Sequence, residues 1–287
     1  MNIEFKTIYP YILHILVIVI VNVFYFFPQF EGKVVNQGDI IQYKAMSKEA
    51  FDYQEKTGEV ALWTNSMFGG MPTYQISAPN AGNKLSYIRK VGSMFMNYPA
   101  GLYILGMISF YILMLSLGIN GWLSLVGAIL FGFSTNNFIL FEAGHNTKTA
   151  AILTSPLVIA GVILLFKQRF LLGSALFGIG LGLNLQSNHP QMTYYLGLSL
   201  GILVVIEFIN KIKERDVLNF AKSIGVLLIV AILALGSSAS KLWTTYEYGK
   251  DTMRGAPILK STGDTPASSS ETDGLEWTYA TQWSNGY

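Results

Sequence analysis

The sequence predicts an all-α integral membrane protein with about seven transmembrane helices. Of the 287 residues, 51% are hydrophobic and only 13% are charged, against about 25% charged residues in ordinary soluble domains. Apolar runs also recur along the chain with lengths near the roughly 20 residues that a helix needs to cross the hydrocarbon core. The predicted spans are Pro10–Phe27, Pro99–Leu117, Gly121–Phe141, Ala150–Phe166, Phe170–Gln186, Met192–Ile209 and Phe220–Ser238.

The first apolar run is predicted to remain in the protein as a membrane span. A secretory signal has an apolar region of about 7–15 residues followed by a small-residue cleavage site. Here the run is longer and ends in FFPQFEG, which contains no such site.

The distribution of Lys and Arg predicts a cytoplasmic N-terminus. Short loops on the cytoplasmic side of membrane proteins are enriched in these residues. Seven spans threaded in this sense place the first loop (29–98) and the hinges FEAGHNTK and QSNHPQ on the extracytoplasmic side. The prediction is a membrane domain over 1–240, then an extracytoplasmic segment over 241–287 that begins a further region. The cationic residues on the inner side are Lys6, Lys167, Arg169, Lys211, Lys213, Arg215 and Lys222.

Polar and small residues predict irregular features within this framework. Ser134–Asn137 interrupts the third span, where unusual backbone must be buried in protein or line a cavity. Glycines at 173, 178, 180 and 182 predict a close-packing face on the fifth span. In the first loop we expect a helix that ends at Gly58 and an amphipathic piece from Gly82 to Met96, both able to lie at the membrane surface.

Composition excludes several classes of function. The chain contains no cysteine, which excludes disulfides, thiolate catalysis and cysteine metal sites. The net charge of +2 comes without a basic and aromatic cluster, so nucleic acid is not an expected partner.

Asp39 is the first candidate catalytic residue. It follows the first span by about a dozen residues in the motif QGDIIQ, which keeps it near the membrane surface. An acidic residue there could act as a general base. The alternative is structural, because Asp39 with Gln42 three positions later fits a capping box for the following helix.

The hinge FEAGHNTK concentrates the polar residues Glu142, His145 and Lys148 between two spans. Glu142 and His145 are three positions apart and would share a face if the hinge were helical. With Asp39 they form a possible ligand set for a divalent cation such as Mg²⁺ or Mn²⁺. The alternative is a polar hinge that solvates two helix ends.

Further candidates for substrate binding lie on the same predicted side. His189 and Gln191 belong to the second hinge, where His189 could instead cap the helix that Pro190 begins. Arg89 could hold a lipid phosphate, or serve general membrane contact. Trp63 and Tyr74 could stack on a sugar or anchor the loop at the interface. His14, early in the first span and near the inner interface, is expected to be a packing or snorkelling residue.

The ordered set of QGD after the first span, then EAGHNTK and SNHPQ in outer hinges, resembles the YfhO-type family of bacterial membrane proteins. That family belongs to the C-type superfamily of membrane glycosyltransferases, known as GT-C. The resemblance implies transfer of a sugar from a polyprenyl-phosphate donor in the bacterial cytoplasmic membrane, with Asp39 as base or metal ligand. It also implies that the chain is an N-terminal portion of a longer protein.

The expected function is therefore an inverting glycosyltransferase that acts at the extracytoplasmic face of the cell envelope. The expected partners are a polyprenyl-phosphate-linked sugar, membrane lipid, and a glycan, lipid or protein acceptor. Two alternatives remain: a transporter or flippase of a lipid-linked or polar substrate, and a non-catalytic membrane scaffold. Ionisable groups near the bilayer midplane and inverted repeats would favour a transporter.

Overall fold

The protein is a helical multi-pass membrane protein whose computed structural model describes residues 5–76 and 83–252. A two-residue hairpin, β1 (Trp63–Thr64) with β2 (Met71–Pro72), lies in the first loop. In chain order the helices are α1 (Phe5–Tyr25), α2 (Phe27–Phe30), α3 (Gly38–Thr57), α4 (Leu85–Gly92), α5 (Ala100–Leu117), α6 (Gly121–Gly132), α7 (Thr135–Ala143), α8 (Asn146–Phe166), α9 (Phe170–Gln186), α10 (Pro190–Lys213), α11 (Val217–Ser237) and α12 (Ala239–Gly249).

Six of the spans in the described residues are long and apolar enough to cross a membrane, with α6 and α7 together forming one of them. Helix α9 has only 17 residues, about 25 Å at 1.5 Å per residue. It nevertheless runs antiparallel to α8 along its length, because Gly173 faces Leu165, Gly180 faces Val158 and Asn184 bonds Ala151. Six of the seven predicted membrane helices are thus confirmed by length and composition, and the fifth predicted span is a shorter apolar helix packed on α8.

Glycine allows the backbones of α8 and α9 to approach closely. A Cβ atom at Gly173 would lie 2.8 Å from the Leu165 nitrogen, and one at Gly180 would lie 2.8 Å from the Val158 nitrogen. Any side chain at either position would force the helices apart. The glycine face predicted for the fifth span is therefore a helix-packing surface.

Asn184 ties three helices together inside this bundle. Its amide is fully buried and donates to the Ala151 carbonyl at 2.9 Å. Its oxygen accepts a hydrogen bond from the Thr193 hydroxyl at 2.8 Å. Since these residues lie near one end of α8, α9 and α10, the amide fixes the relative height of those ends.

The predicted break in the third span is present between α6 and α7. Phe133 and Ser134 separate the two helices. Buried Asn137 donates to the carbonyls of Phe131 and Gly132 at 2.9 and 3.2 Å, which satisfies backbone groups that the break exposes. Phe133 and Ser134 are themselves half-buried, so the side chain of Asn137 supplies hydrogen bonds that a break at this depth needs.

The first loop folds into ordered structure at one end of the bundle. Helix α3 ends at Gly58, whose φ of 76° is the left-handed cap that the sequence predicts. The Glu49 carboxylate accepts hydrogen bonds from Thr64, Asn65 and Ser66, which holds the hairpin against α3 and lowers the pKa of Glu49, chiefly through Thr64.

The second amphipathic piece is shorter than predicted and is packed on the bundle. Its start at Gly82 lies outside the described residues, and α4 ends at Gly92. Leu85 packs against Gly182 of α9, and the Asn83 amide donates to the Ser237 carbonyl at 3.2 Å. Helix α4 therefore packs on α9, and the residue that precedes it is bonded to the end of α11.

The chain divides into two compact units, Met1–Thr244 and Thr245–Tyr287. The division lies close to the predicted boundary after residue 240. Most of the predicted segment 241–287 lies outside the described residues. In the first unit, the first loop and the two polar hinges lie at one end of the helical bundle, which we name the loop end.

Candidate functional site

Asp39 lies in the first turn of α3 with its side chain half exposed. The residue at the N-cap position is Gln37, and its side chain makes no capping hydrogen bond. The alternative in which Asp39 caps the helix through a box with Gln42 is therefore wrong, because the helix begins before Asp39. A carboxylate in the first turn is instead favoured by the helix dipole, and its oxygens remain free for other partners.

His145 of the first hinge contacts Asp39 directly. The imidazole Nδ1 and the Asp39 Oδ2 are 3.0 Å apart. Gly144 allows this approach: its φ is 97°, and a Cβ atom there would lie 2.9 Å from the Asp39 Cβ. The first loop and the hinge, 106 positions apart by residue number, thus form a carboxylate–imidazole pair.

Glu142 does not join this pair. Helix α7 ends at Ala143 and the left-handed Gly144 turns the chain, so Glu142 and His145 do not share the helical face that the sequence predicted. Within residues 5–76 and 83–252, no group of three His, Asp or Glu side chains comes together as a metal-ligand set. The divalent cation remains a prediction.

An amide cluster beside the pair joins the same two segments. Gln37 and Asn146 exchange two hydrogen bonds, Nε2 to Oδ1 at 3.1 Å and Nδ2 to Oε1 at 3.2 Å. Gln37 also donates to the Phe141 carbonyl, and the Tyr98 hydroxyl donates to the Asn146 oxygen. Burial raises the pKa of Tyr98 to about 12, so the phenol stays a donor.

The second hinge lies against the first, as the sequence predicted. His189 Nδ1 is 3.3 Å from the Thr147 hydroxyl. Burial lowers the pKa of His189, and the nearby charges of Lys148 and His145 lower it further. Gln191 points elsewhere, donating to the Tyr195 hydroxyl at 2.9 Å in an exposed position. Two of the three histidines therefore flank one site.

A cavity of about 740 Å³ opens next to these hinges. We name it the cationic cavity, because Arg89, Lys90 and Lys241 line it. Burial lowers the pKa of Lys241. The apolar part of the lining includes Leu102, Leu105 and Leu183, and the polar part includes Asn146 and Thr147 of the first hinge.

A second cavity of about 910 Å³ lies on the other side of residues Met96, Asn97 and Tyr98, which line both. We name it the apolar cavity. Gln37 and Glu142 are among its polar residues. Its apolar lining is Tyr25, Phe26, Pro28, Phe30, Val34, Val35, Phe95, Met96, Pro99, Phe138 and Phe141.

Trp63 and Tyr74 belong to the hairpin region and not to the pair. Trp63 is exposed in β1 and its indole covers Gly70. The hairpin is bonded to Glu49, ten residues beyond Asp39 on α3, which is about 15 Å along a helix. Sequence reasoning missed Gln37, Tyr98 and Lys241. Only Gln37 had a local signal, its place two residues before Asp39.

Together these observations define a polytopic, helical membrane protein with a partly exposed acid–imidazole pair, and residues close to the pair in sequence line two cavities. Scanning protein-family models gives no match, and neither curated proteins nor solved structures show significant similarity to the chain. The function of the site therefore has to be inferred from the Asp39–His145 pair and the residues that line the two cavities.

Proposed function

We propose that this protein is a membrane glycosyltransferase that moves a sugar from a polyprenyl-phosphate donor to a hydroxyl acceptor on the extracytoplasmic side of a bacterial cytoplasmic membrane. The observation that carries the proposal is the contact of Asp39 with His145, in the same hinge whose Asn146 and Thr147 line the cationic cavity. A base for the acceptor and cations for a departing phosphate are the two requirements of this reaction, and both are at the loop end.

The proton has a defined destination in this scheme. The acceptor oxygen attacks the anomeric carbon while its proton passes to Asp39. In this scheme His145, whose Nδ1 lies 3.0 Å from Oδ2, orients the carboxylate so that its other oxygen faces the substrate. A positioned general base of this kind contributes about 10²–10⁴-fold to the rate.

The leaving group is the lipid phosphate. As the bond between the anomeric carbon and the phosphate oxygen breaks, both electrons go to that oxygen, and Arg89, Lys90 and Lys241 stabilise the added charge. A single displacement inverts the anomeric configuration. Lys148 adds positive potential from the hinge side.

The cationic cavity also suits an amphiphilic donor. Its leucines provide an apolar surface for the first isoprene units, and the amide and hydroxyl of Asn146 and Thr147 can bond sugar hydroxyls. Small-molecule sites combine an apolar lining with a few polar groups in this way, in volumes of about 300–1,000 Å³. This arrangement favours a lipid-linked donor over a nucleotide sugar in water.

Asp39→Asn tests the proposal directly. Membranes containing the full-length protein would receive a radiolabelled polyprenyl-phospho-sugar, and transfer of label to acceptor would be measured. We expect a loss of about 10²–10⁴-fold. Asp52→Asn is the matched control, because Asp52 lies on the same helix and bonds only the exposed Lys48 in a surface pair at 2.6 Å. Equal transfer by the two variants would overturn the role of Asp39.

A further inference from the structure

The apolar cavity has no role in the proposed transfer reaction, although it is larger than the cationic cavity. It is lined by the end of α1, helix α2, the segment before α5, and α7. Gln29 holds this side together by donating to the Asn97 carbonyl at 3.2 Å and accepting from the Ala100 nitrogen at 3.1 Å. The cavity is thus enclosed by ordered elements that hydrogen bonds hold in place.

Its charge differs from that of the cationic cavity. Lys33 is its cation, and that ammonium is engaged by the Glu31 carboxylate at 2.6 Å. Glu142 contributes a carboxylate for which the described part of the chain provides no hydrogen bond or ion pair. A phosphate group in the apolar cavity would face the Glu142 carboxylate, whereas one in the cationic cavity would face three cations. Anionic ligands are therefore expected to bind in the cationic cavity.

The mouth of the apolar cavity is itself apolar. Val34 and Phe95 line it and are 89% and 76% exposed, and Phe30 is half exposed. These side chains lie at the loop end, where the spans begin and end. In a membrane protein, such an opening admits ligands from the bilayer more readily than from water.

The two cavities also meet at the amide cluster. Gln37 lines the apolar cavity, its partner Asn146 lines the cationic cavity, and Tyr98 lines both. Asp39 follows Gln37 by two residues and His145 precedes Asn146. Asp39 and His145 line neither cavity themselves, so ligands in the two cavities would meet the amide cluster that adjoins the pair.

We infer that the apolar cavity binds the acceptor, an amphiphile with apolar chains and an uncharged, hydroxyl-bearing head group. The role of this ligand as acceptor rests on the proposed function. The binding of a neutral amphiphile is argued from the cavity alone. Glu142 and Gln37 accept hydrogen bonds from the head-group hydroxyls. The aromatic and aliphatic lining contacts the chains.

Photolabelling tests the site without any transfer. The purified full-length protein in nanodiscs would be exposed to diacylglycerol carrying a diazirine in one chain, and to phosphatidic acid with the same chains. We expect diacylglycerol to label residues 26–35 and 96–99 at least fivefold more than phosphatidic acid does. Equal labelling by the two lipids would mean ordinary bilayer contact and would overturn the inference.

Two variants locate the label. Val35→Trp fills the cavity and should reduce labelling at least fivefold, while Val60→Trp, at a comparably exposed valine elsewhere in the first loop, should not. Glu142→Lys leaves the cavity open and reverses its charge, so phosphatidic acid should label it more strongly than it labels the wild type. Labelling unchanged in both Val35→Trp and Glu142→Lys would overturn the inference.

A transfer assay with unlabelled diacylglycerol separates the two proposals. Transfer that persists in Val35→Trp at the wild-type rate would leave the glycosyltransferase proposal intact and overturn the acceptor site. Specific photolabelling without transfer to any acceptor would overturn the proposed function and the acceptor role, while supporting the neutral-amphiphile site.

Discussion

Two histidines at opposite ends of the bundle show what distinguishes a chemical site from a structural one. His14 is 2% exposed and lies among Tyr111, Trp122 and Gly121, with its Nδ1 2.6 Å from the Tyr111 hydroxyl. His145 has 29% of its side chain exposed and faces a carboxylate at 3.0 Å. The first imidazole is closed off by protein, and the second is open to ligands.

The partner of each histidine matters as much as its exposure. A phenol hydroxyl forms a neutral hydrogen bond and fixes the ring of His14 in the core formed by α1, α5 and α6. A carboxylate can hold, orient or exchange a proton with His145. The comparison predicts that changes near His145 alter turnover, whereas changes near His14 alter only stability.

Among changes around the two histidines, the largest effect should come from His145→Gln. Loss of the imidazole removes the group that orients the Asp39 carboxylate, and we expect transfer to fall by about 10²-fold, within the range of positioned acid–base groups. The turnover number should fall while the free energy of unfolding changes little, since His145 is partly exposed. Reduced stability with normal turnover would contradict the distinction between the two histidines.

A smaller effect is expected from Asn146→Ala. The variant removes the reciprocal amide bonds to Gln37 and the acceptor of the Tyr98 hydroxyl. The pair would lose its alignment, and misplacement of about 1 Å can cost up to about 10²-fold in rate. We expect roughly a tenfold lower turnover number, together with a higher KM for the donor because Asn146 also lines the cationic cavity.

Asn65→Ala is the control for this variant, because Asn65 lies exposed in the loop and its hydrogen bond to Glu49 comes from the backbone. It should retain wild-type turnover. An Asn146→Ala protein that differs from this control only in KM would exclude a positioning role.

Tyr111→Phe should leave transfer unchanged and reduce stability. The substitution deletes the hydroxyl that bonds His14 and leaves Nδ1 without that partner. A typical buried hydrogen bond contributes about 0.5–1.5 kcal/mol, and thermal unfolding in detergent would measure the loss. A changed pH profile of transfer in this variant would give His14 a part in the chemistry.

The smallest effect concerns pH and His189. Because burial lowers the pKa of His189 below its ordinary value of 6.5, the unfolded chain binds a proton there that the folded chain does not. The stability contributed by neutral His189 is therefore complete above pH 6.5 and declines as the pH falls below it.

His189→Gln should weaken this dependence. Between pH 7.5 and 5, the melting temperature of the variant should decrease less than that of the wild type. Parallel curves for the two proteins would show that His189 does not titrate differently on folding.

The membrane helices could be predicted from sequence because hydropathy over 20 residues is a local property. The cap at Gly58, the break near Ser134 and the glycine face were predictable for the same reason. The hinge was harder: the glycine at 144 was a visible signal for a helix end, yet Glu142 and His145 were expected to share one turn.

The long-range contacts could not be predicted. Gln37 and Asn146 are separated by 109 positions, and Lys241 reaches the cationic cavity from beyond the last span. An amide pair has no periodic pattern, and a lysine near a membrane boundary is ordinarily explained by the lipid surface. The contact of Asp39 with His145 required the fold, although both residues were candidates from their chemistry.

The short, glycine-rich α9 has a consequence for biosynthesis. With 17 residues and a buried Asn184, it offers the lipid a weaker span than its neighbours do. Its amide finds partners only on α8 and α10, so the helix gains most of its favourable contacts after both have been made. We therefore expect α9 to enter the bilayer together with these two helices, which links insertion of the bundle to correct spacing of the two histidine hinges.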